Sequence, residues 1–207
     1  MLNKLILPIV ETFHSLQGEG AHTGRSAFFI RLAGCSVTCS WCDTKYSWSI
    51  STKSWRSLDN IVYEAIVAQQ EGAAFIVITG GEPLHHSLKD LCHRLARSKL
   101  PIHLETSGVD PLTGKFDWIT LSPKRHKPPK LEILRACNEV KVIINETTDL
   151  LFANSITRLT NDFVSPPLLY LQPGWDNIEG YKLAVDFVRT NPNWHLSLQT
   201  HKWLGVR

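Results

Sequence analysis

Ala74-Phe75-Ile76-Val77-Ile78-Thr79-Gly80-Gly81-Glu82-Pro83 is the stretch that decides the architecture. The run is apolar up to Thr79 and is bounded by Gly72 on one side and Gly80-Gly81 on the other. A strand buried on both faces of a parallel sheet has this character, because helices cover such a sheet on both sides. Upstream, Leu58-Asp59-Asn60 offers a helix start, and Ile61, Val62, Ala65, Ile66 and Gln69 repeat at helical spacing until Gly72. Downstream, a helix over about Ser87 to Ser98 places Leu88, Leu91, Cys92 and Leu95 on one face. Pro101 then stops it before a strand at Ile102-His103-Leu104-Glu105-Thr106. The order is β-α-β-α.

Further out the same alternation continues, with one gap. Leu7 to Phe13 has strand character, and Ala27-Phe28-Phe29-Ile30-Arg31-Leu32 is a β-type run. Trp118 to Leu121 follows the strand at Ile102–Thr106 after a loop too short for a good helix, so one crossover helix is missing. A short helix Leu131–Ala136, a strand Val140–Ile144, a helix Asp149–Leu159, a strand Leu168–Leu171, a helix Ile178–Arg189 and a strand Trp194–Leu198 complete the chain. The predicted fold is α/β, a partial parallel β/α barrel with about six core strands and a reduced helix count, in a single domain over residues 1–207.

In such barrels the site is built from the loops at the carboxyl ends of the strands, and the informative polar residues stand there. After the first core strand comes Cys35-Ser36-Val37-Thr38-Cys39-Ser40-Trp41-Cys42-Asp43-Thr44, a C-x3-C-x2-C loop entered through Gly34. Three thiolates are one short of the four that close a zinc site or fully ligate an iron–sulfur cube, so one metal position stays open. The alternative is a zinc site completed by a distant His or Cys. Gly80-Gly81-Glu82 follows the second strand, Ser107-Gly108 the third, Ser122-Pro123-Lys124 the fourth and Gln172-Pro173-Gly174-Trp175 the sixth. Near the N-terminus, Leu16-Gln17-Gly18-Glu19-Gly20 reads as a tight loop, or as an ordinary solvated turn. Arg31, charged within an apolar strand, wants an anion.

Composition sets the bounds. With 207 residues, 43% hydrophobic and 20% charged, the chain is globular in type. A net charge of +3 is too small to argue for nucleic acid. The one dense basic run, Ser122 to Lys130, reads as a solvated loop. No apolar run is long enough to span a membrane, and Lys4 and Glu11 bracket too short an apolar stretch for a signal peptide, so a cytoplasmic location is expected. Of the five cysteines three are clustered, while Cys92 and Cys137 stand in apolar surroundings and read as small buried residues.

Cysteine loop and Gly-Gly-Glu motif, one crossover apart, resemble the paired motifs of the radical S-adenosylmethionine (SAM) superfamily. The resemblance narrows because Gln17-Gly18-Glu19-Gly20, Phe29-Ile30-Arg31-Leu32, Cys39-Ser40-Trp41-Cys42-Asp43-Thr44-Lys45, Thr79-Gly80-Gly81-Glu82-Pro83, Glu105-Thr106-Ser107-Gly108, Ser122-Pro123-Lys124 and Gln199-Thr200-His201-Lys202 occur in this order. That set is similar to the 7-carboxy-7-deazaguanine synthases. The match runs nearly end to end, and only the region from Asn145 to Pro167 carries no matching motif.

The resemblance implies a radical ring contraction of 6-carboxy-5,6,7,8-tetrahydropterin to 7-carboxy-7-deazaguanine with loss of ammonia, a step toward 7-deazapurines such as queuosine. It implies a 4Fe-4S cluster on Cys35, Cys39 and Cys42, with SAM chelated to the fourth iron and cleaved to a radical that takes and later returns a substrate hydrogen. Trp41, Cys42, Asp43, Gly81, Glu105, Ser107, Ser122, Pro123, Lys124, Gln172, Pro173, Gly174 and Trp175 are the implied SAM contacts. Leu16, Gln17, Gly18, Glu19, Arg31, Thr79 and His201 are the implied pterin contacts, and Thr44 the implied ligand of a Mg2+ ion beside the substrate carboxylate. Arg207 joins the pterin set through its α-carboxylate, with Trp203, Leu204 and Val206 expected to anchor the tail. A homodimer and an electron donor such as flavodoxin are implied; nucleic acid and membrane are not. Two rivals differ in class: another radical SAM enzyme, such as a glycyl-radical activase, and a metal-stapled nucleic-acid-binding module using the three cysteines and the Lys124–Lys130 run.

Overall fold

The computed structural model describes residues 5–207, so the N-terminal reading at Lys4 lies outside the described residues. Strand β1 (Ile6–Leu16) pairs antiparallel with β2 (Ser26–Leu32) on one side and with β3 (Trp55–Ser57) on the other. Helix α1 (Leu58–Gln70) leads into β4 (Phe75–Gly80), and α2 (Lys89–Leu95) into β5 (Ile102–Thr106). Strand β6 (Trp118–Leu121) follows with no helix between, as the short connection predicts. Then come α3 (Leu131–Ala136), β7 (Glu139–Ile144), α4 (Thr147–Thr160), β8 (Leu168–Pro173), α5 (Ile178–Thr190), β9 (Trp194–Leu196) and α6 (Thr200–Leu204).

One nine-stranded sheet runs in the order β3-β1-β2-β4-β5-β6-β7-β8-β9. From β2 onward every neighbouring pair is parallel. The α/β class and the parallel core strands match the sequence-based expectation; the sheet is open, not a closed barrel, with β3 and β9 as its edges. Pairing is uneven: β2–β4 and β7–β8 each align over six residue pairs, whereas β6–β7 align over two, Thr120 with Glu139 and Leu121 with Val140.

Alternation along the strands sorts the two faces. Phe28, Ile30 and Leu32, Ile76 and Ile78, Ile102 and Leu104, Ile119 and Leu121, and Val140, Val142 and Ile144 join Ile61, Leu91, Ile133 and Ile156 of the helices in one core. On the opposite face Ala27, Phe29, Phe75 and Val77 form a separate small cluster against Phe13. Further along that face the inward positions turn polar, and they line the site described below.

Local chemistry explains the element ends. The Ser57 side chain accepts a hydrogen bond from the Asp59 N–H and so caps α1, while Glu146 and Asp149 form a reciprocal capping box on α4. Helix α2 is shorter than the spacing predicts. Its last turn tightens to a 3-10 turn at Ala96–Ser98, where Ser98 Oγ donates to the Leu95 carbonyl at 2.7 Å, and Lys99 then reverses the chain at φ 60°. Strand β3 is too short to show a period and went unseen in the sequence, as did α6.

Candidate active site

A cavity of about 500 Å3 lies over the carboxyl ends of the parallel strands. Its wall on one side is the cysteine loop. Cys35, Cys39 and Cys42 all face it, yet among the described residues no group of three or more His, Cys, Asp or Glu side chains converges as one metal ion requires. Three thiols are the donor set of a four-iron cube with one iron left open, and one ligand short of a closed zinc site. Burial pushes the Cys39 thiol up, and the Lys124 ammonium opposes that push.

The loop is held from both flanks. On the inner flank the Gly81 position admits no side chain, since a Cβ there would lie 2.4 Å from the Gly34 carbonyl oxygen and 2.9 Å from Cys35 Cβ. The Glu82 N–H then donates to that same Gly34 carbonyl at 2.8 Å. Outside, the Ser36 N–H donates to His85 Nε2 at 3.0 Å, and Asp110 holds the other ring nitrogen of His85. His126 Nε2 donates to the Val37 carbonyl at 3.0 Å, and Lys127 Nζ donates to Ser36 Oγ at 2.8 Å. The basic run is therefore not simply a solvated loop. It folds back onto the cysteine loop because main-chain carbonyls there need donors.

Glu82 is 1% exposed and organises the next strand end. Its carboxylate accepts from Thr106 Oγ1 at 2.5 Å, from the Ser107 N–H at 2.8 Å, from Ser107 Oγ, and from the Leu84 N–H. Glu105 points the other way, into the cavity, and accepts from Gln17 Nε2 at 2.9 Å and Thr79 Oγ1 at 3.0 Å. Residues assigned by resemblance to SAM and to pterin are thus hydrogen-bonded to each other.

Opposite the cysteines, the Gln17–Gly20 loop is packed between β7 and α6. Glu19 pairs with Lys141 and accepts from Gln199 Nε2 at 2.9 Å. The Thr200 N–H donates to the Gly18 carbonyl at 3.0 Å, which seats His201 against the loop. Burial first, helped by Lys202, holds the His201 imidazole below its usual pKa, so it faces the cavity neutral. Asp43 is salt-bridged to Lys202 at 2.6 Å; burial would raise its pKa, but the Lys202 and Gln199 contacts hold it low.

Every residue that the resemblance assigns to the cluster, SAM, the pterin or Mg2+ lines this cavity except Pro123, which is buried. Arg31 already has an anion, Glu11, at 2.8 Å from its Nε, and Glu11 also takes the Arg207 guanidinium and the Tyr46 hydroxyl. The tail does not anchor as expected. Trp203, Leu204 and Val206 are 68%, 63% and 40% exposed, because α6 turns its polar face inward. The tail is held instead by Lys202 on Asp43, by Arg207 on Glu11 and by Ser15 Oγ, which donates to an Arg207 oxygen at 2.6 Å. Sequence reasoning missed Glu82 as a brace, and Lys141, Asn145 and Gln199 as cavity residues. For Lys141 a signal existed: with Glu139 it forms an alternating charged pair on an otherwise apolar strand.

Comparison with known proteins agrees with this geometry. Residues 29–149 match the profile of the Radical SAM superfamily. The 7-carboxy-7-deazaguanine synthase of Prochlorococcus marinus is 54% identical over 97% of this chain and 98% of its own length. That of Escherichia coli K12 is 34% identical over 96% and 98%. The crystal structure of QueE from Escherichia coli superposes with a TM-score of 0.80 at 32% identity, covering 94% of both chains. With the cysteine wall, the Gly81 contact and full-length relatives in agreement, the chain belongs to the 7-carboxy-7-deazaguanine synthase family of the radical SAM superfamily.

Proposed function

We propose that the chain converts 6-carboxy-5,6,7,8-tetrahydropterin to 7-carboxy-7-deazaguanine with loss of ammonia, as a carbon–nitrogen lyase in 7-deazapurine biosynthesis of the queuosine type. One observation carries the reading: three thiols and a set of groups suited to a pterin, Gln17, Glu19, Arg31, Thr79 and His201, face one another across a single cavity. The donor set fits the family's cofactors. Cys35, Cys39 and Cys42 would hold a 4Fe-4S cluster, leaving one iron for SAM. When bound, cluster and SAM supply the radical that removes a substrate hydrogen and later returns it.

The protein's own contribution is position, charge and exclusion of water. Asp43, Glu105, Ser107, Ser122, Lys124 and the Gln172–Trp175 segment surround the space next to the cysteines, where they would orient SAM. Gln17 and Glu19 offer donor and acceptor edges for an aminopyrimidinone, with neutral His201 beside them. Arg31, part-shielded by Glu11, would share its guanidinium with the substrate carboxylate. Leu16, Gly18 and Arg207 complete the pterin end. Thr44, on the cavity wall, would offer its hydroxyl as a hard oxygen ligand for Mg2+. A one-electron donor such as flavodoxin and a homodimer belong to the same proposal.

The test is anaerobic reconstitution followed by turnover with SAM, reductant and the pterin. Iron and acid-labile sulfide, pterin-dependent release of ammonia, and the deazaguanine by mass spectrometry are the expected results. Stoichiometric zinc without sulfide would reject the reading.

A further inference from the structure

Strand β7 presents Glu139 and Lys141 on successive inward positions, and both are buried, at 2% and 5% exposure. Charges so placed persist only when paired, since an unpaired one costs several kcal/mol. Both partners lie in one short segment. Glu139 accepts from the Ala21 N–H and from Thr120 Oγ1, each at 2.9 Å. Its carboxylate also closes on Gly20, where a Cβ would come within 2.3 Å of Oε1 and where φ is +65°. Lys141 meets the Glu19 carboxylate, whose other oxygen accepts from Gln199. One strand thus grips residues 19, 20 and 21 in turn, by charge, by close approach and by a main-chain bond.

We infer that Lys141 is a positioning residue for substrate recognition: its ion pair fixes Glu19 at the cavity wall, oriented to accept hydrogen bonds from the N–H donors of the pterin. The inference rests on the pterin reading of the cavity. Electrostatics supports it. Burial is the strongest influence on Glu19 and alone would raise its pKa; Lys141, then Gln199 and His201, reverse that and hold it low. Burial alone would lower Lys141, but Glu19, Glu105 and Glu139 hold it raised. The groups facing Glu19 are Lys141 from β7, Lys124 after β6, and Gln199 and His201 at α6, with Asp43 behind Gln199; Glu139 from β7 and Glu105 from β5 face Lys141. Remove Lys141, and burial acts on Glu19 with its main counter-charge gone. Glu19 then protonates at a higher pH, and an acceptor is lost as the pH falls.

The experiment is equilibrium binding of the pterin to reconstituted, SAM-loaded enzyme without reductant, so that nothing turns over, from about pH 6 to about pH 9. Relative to wild type, Lys141→Met should bind several-fold more weakly at the acid end and recover toward the alkaline end, because protonation there removes the Glu19 acceptor. Lys141→Arg should follow the wild-type profile. Glu19→Gln should be weaker at every pH, and adding Lys141→Met to it should change binding by less than about twofold, since the two act as one unit. A Lys141→Met loss that is equal at all pH values and persists in the Glu19→Gln background would make Lys141 a packing residue and overturn the inference. So would wild-type binding by Lys141→Met. A wild-type enzyme that binds no pterin at any pH would overturn the substrate assignment itself, and the inference with it.

Discussion

The two faces of the same strands obey opposite rules. The helix-covered face is apolar along most of its length, with Ile30, Leu32, Ile78, Leu104, Leu121, Val140 and Ile144 all fully buried. On the inner face Phe29 and Val77 give way, one position further along, to Arg31 and Thr79, paired across β2 and β4. Neighbouring strands add Glu105 beside Thr120, and Thr120 beside Glu139. Because side chains alternate with a period of two, a slip of one residue in any strand would exchange the two inventories. The apolar face thereby fixes where the polar one points. Stability and chemistry share a backbone but divide its side chains.

Breaking the inner face at its strongest point should abolish chemistry without unfolding. Replacing Cys35, Cys39 or Cys42 by Ala removes a ligand, and 5′-deoxyadenosine formation should fall to background, whereas Cys92→Ala, buried in the outer core with its thiol pushed up to about 11, should retain it. Cluster loss in Cys92→Ala with retention in Cys39→Ala would reverse the assignment of the two faces. The converse substitution, Leu104→Ala, should cost about 3 kcal/mol of stability by leaving a cavity, read as a lower Tm, while the protein that stays folded keeps its KM for SAM.

A third measurement probes the inner face at the amino ends of the strands. His103 packs on Phe75 and beside His22 and Trp118, and burial first, then His22 and Arg25, pulls its pKa down to about 4. The unfolded chain therefore binds the proton more readily, so stability should decline as the pH falls from about 6.5 to about 4, by no more than about 3 kcal/mol from this group. Thermal melts of His103→Phe should lose that part of the acid limb; a limb unchanged from wild type would place the acid sensitivity elsewhere. The smallest effect is expected at Thr44→Val, a loss of several-fold in turnover that shows only with Mg2+ present. Equal turnover of variant and wild type with and without the ion would remove Thr44 from the site.

The outer face was readable because its signal is local. Phe75 to Ile78 announce a buried strand by themselves, and Ile61, Val62 and Ala65 announce the helix above it. The cysteine loop was readable for another reason: spacing within one loop is spacing in space. What escaped depends on contacts distant in sequence. Glu82 acts on Ser107, Lys141 on Glu19, and Gln199 on both Glu19 and Asp43. Nothing in the neighbours of Lys141 tells that its partner lies 122 residues earlier. The tail was misjudged because apolar residues suggest burial, yet Trp203 merely leans its edge on Trp175 at 5.6 Å. Short elements such as β3 escaped because three residues carry no period.

The short join between β6 and β7 divides the sheet into two plates. With two aligned residue pairs against six on either of the better-matched joins, it is the shortest run of strand pairing under the cavity, and side chains of β7 reinforce it through Thr120, Glu19 and Ala21. The cysteine loop rides on one plate, and Lys141 and the Gln172–Trp175 segment ride on the other. A molecule seated between them would touch both plates and add a tie of its own across the join.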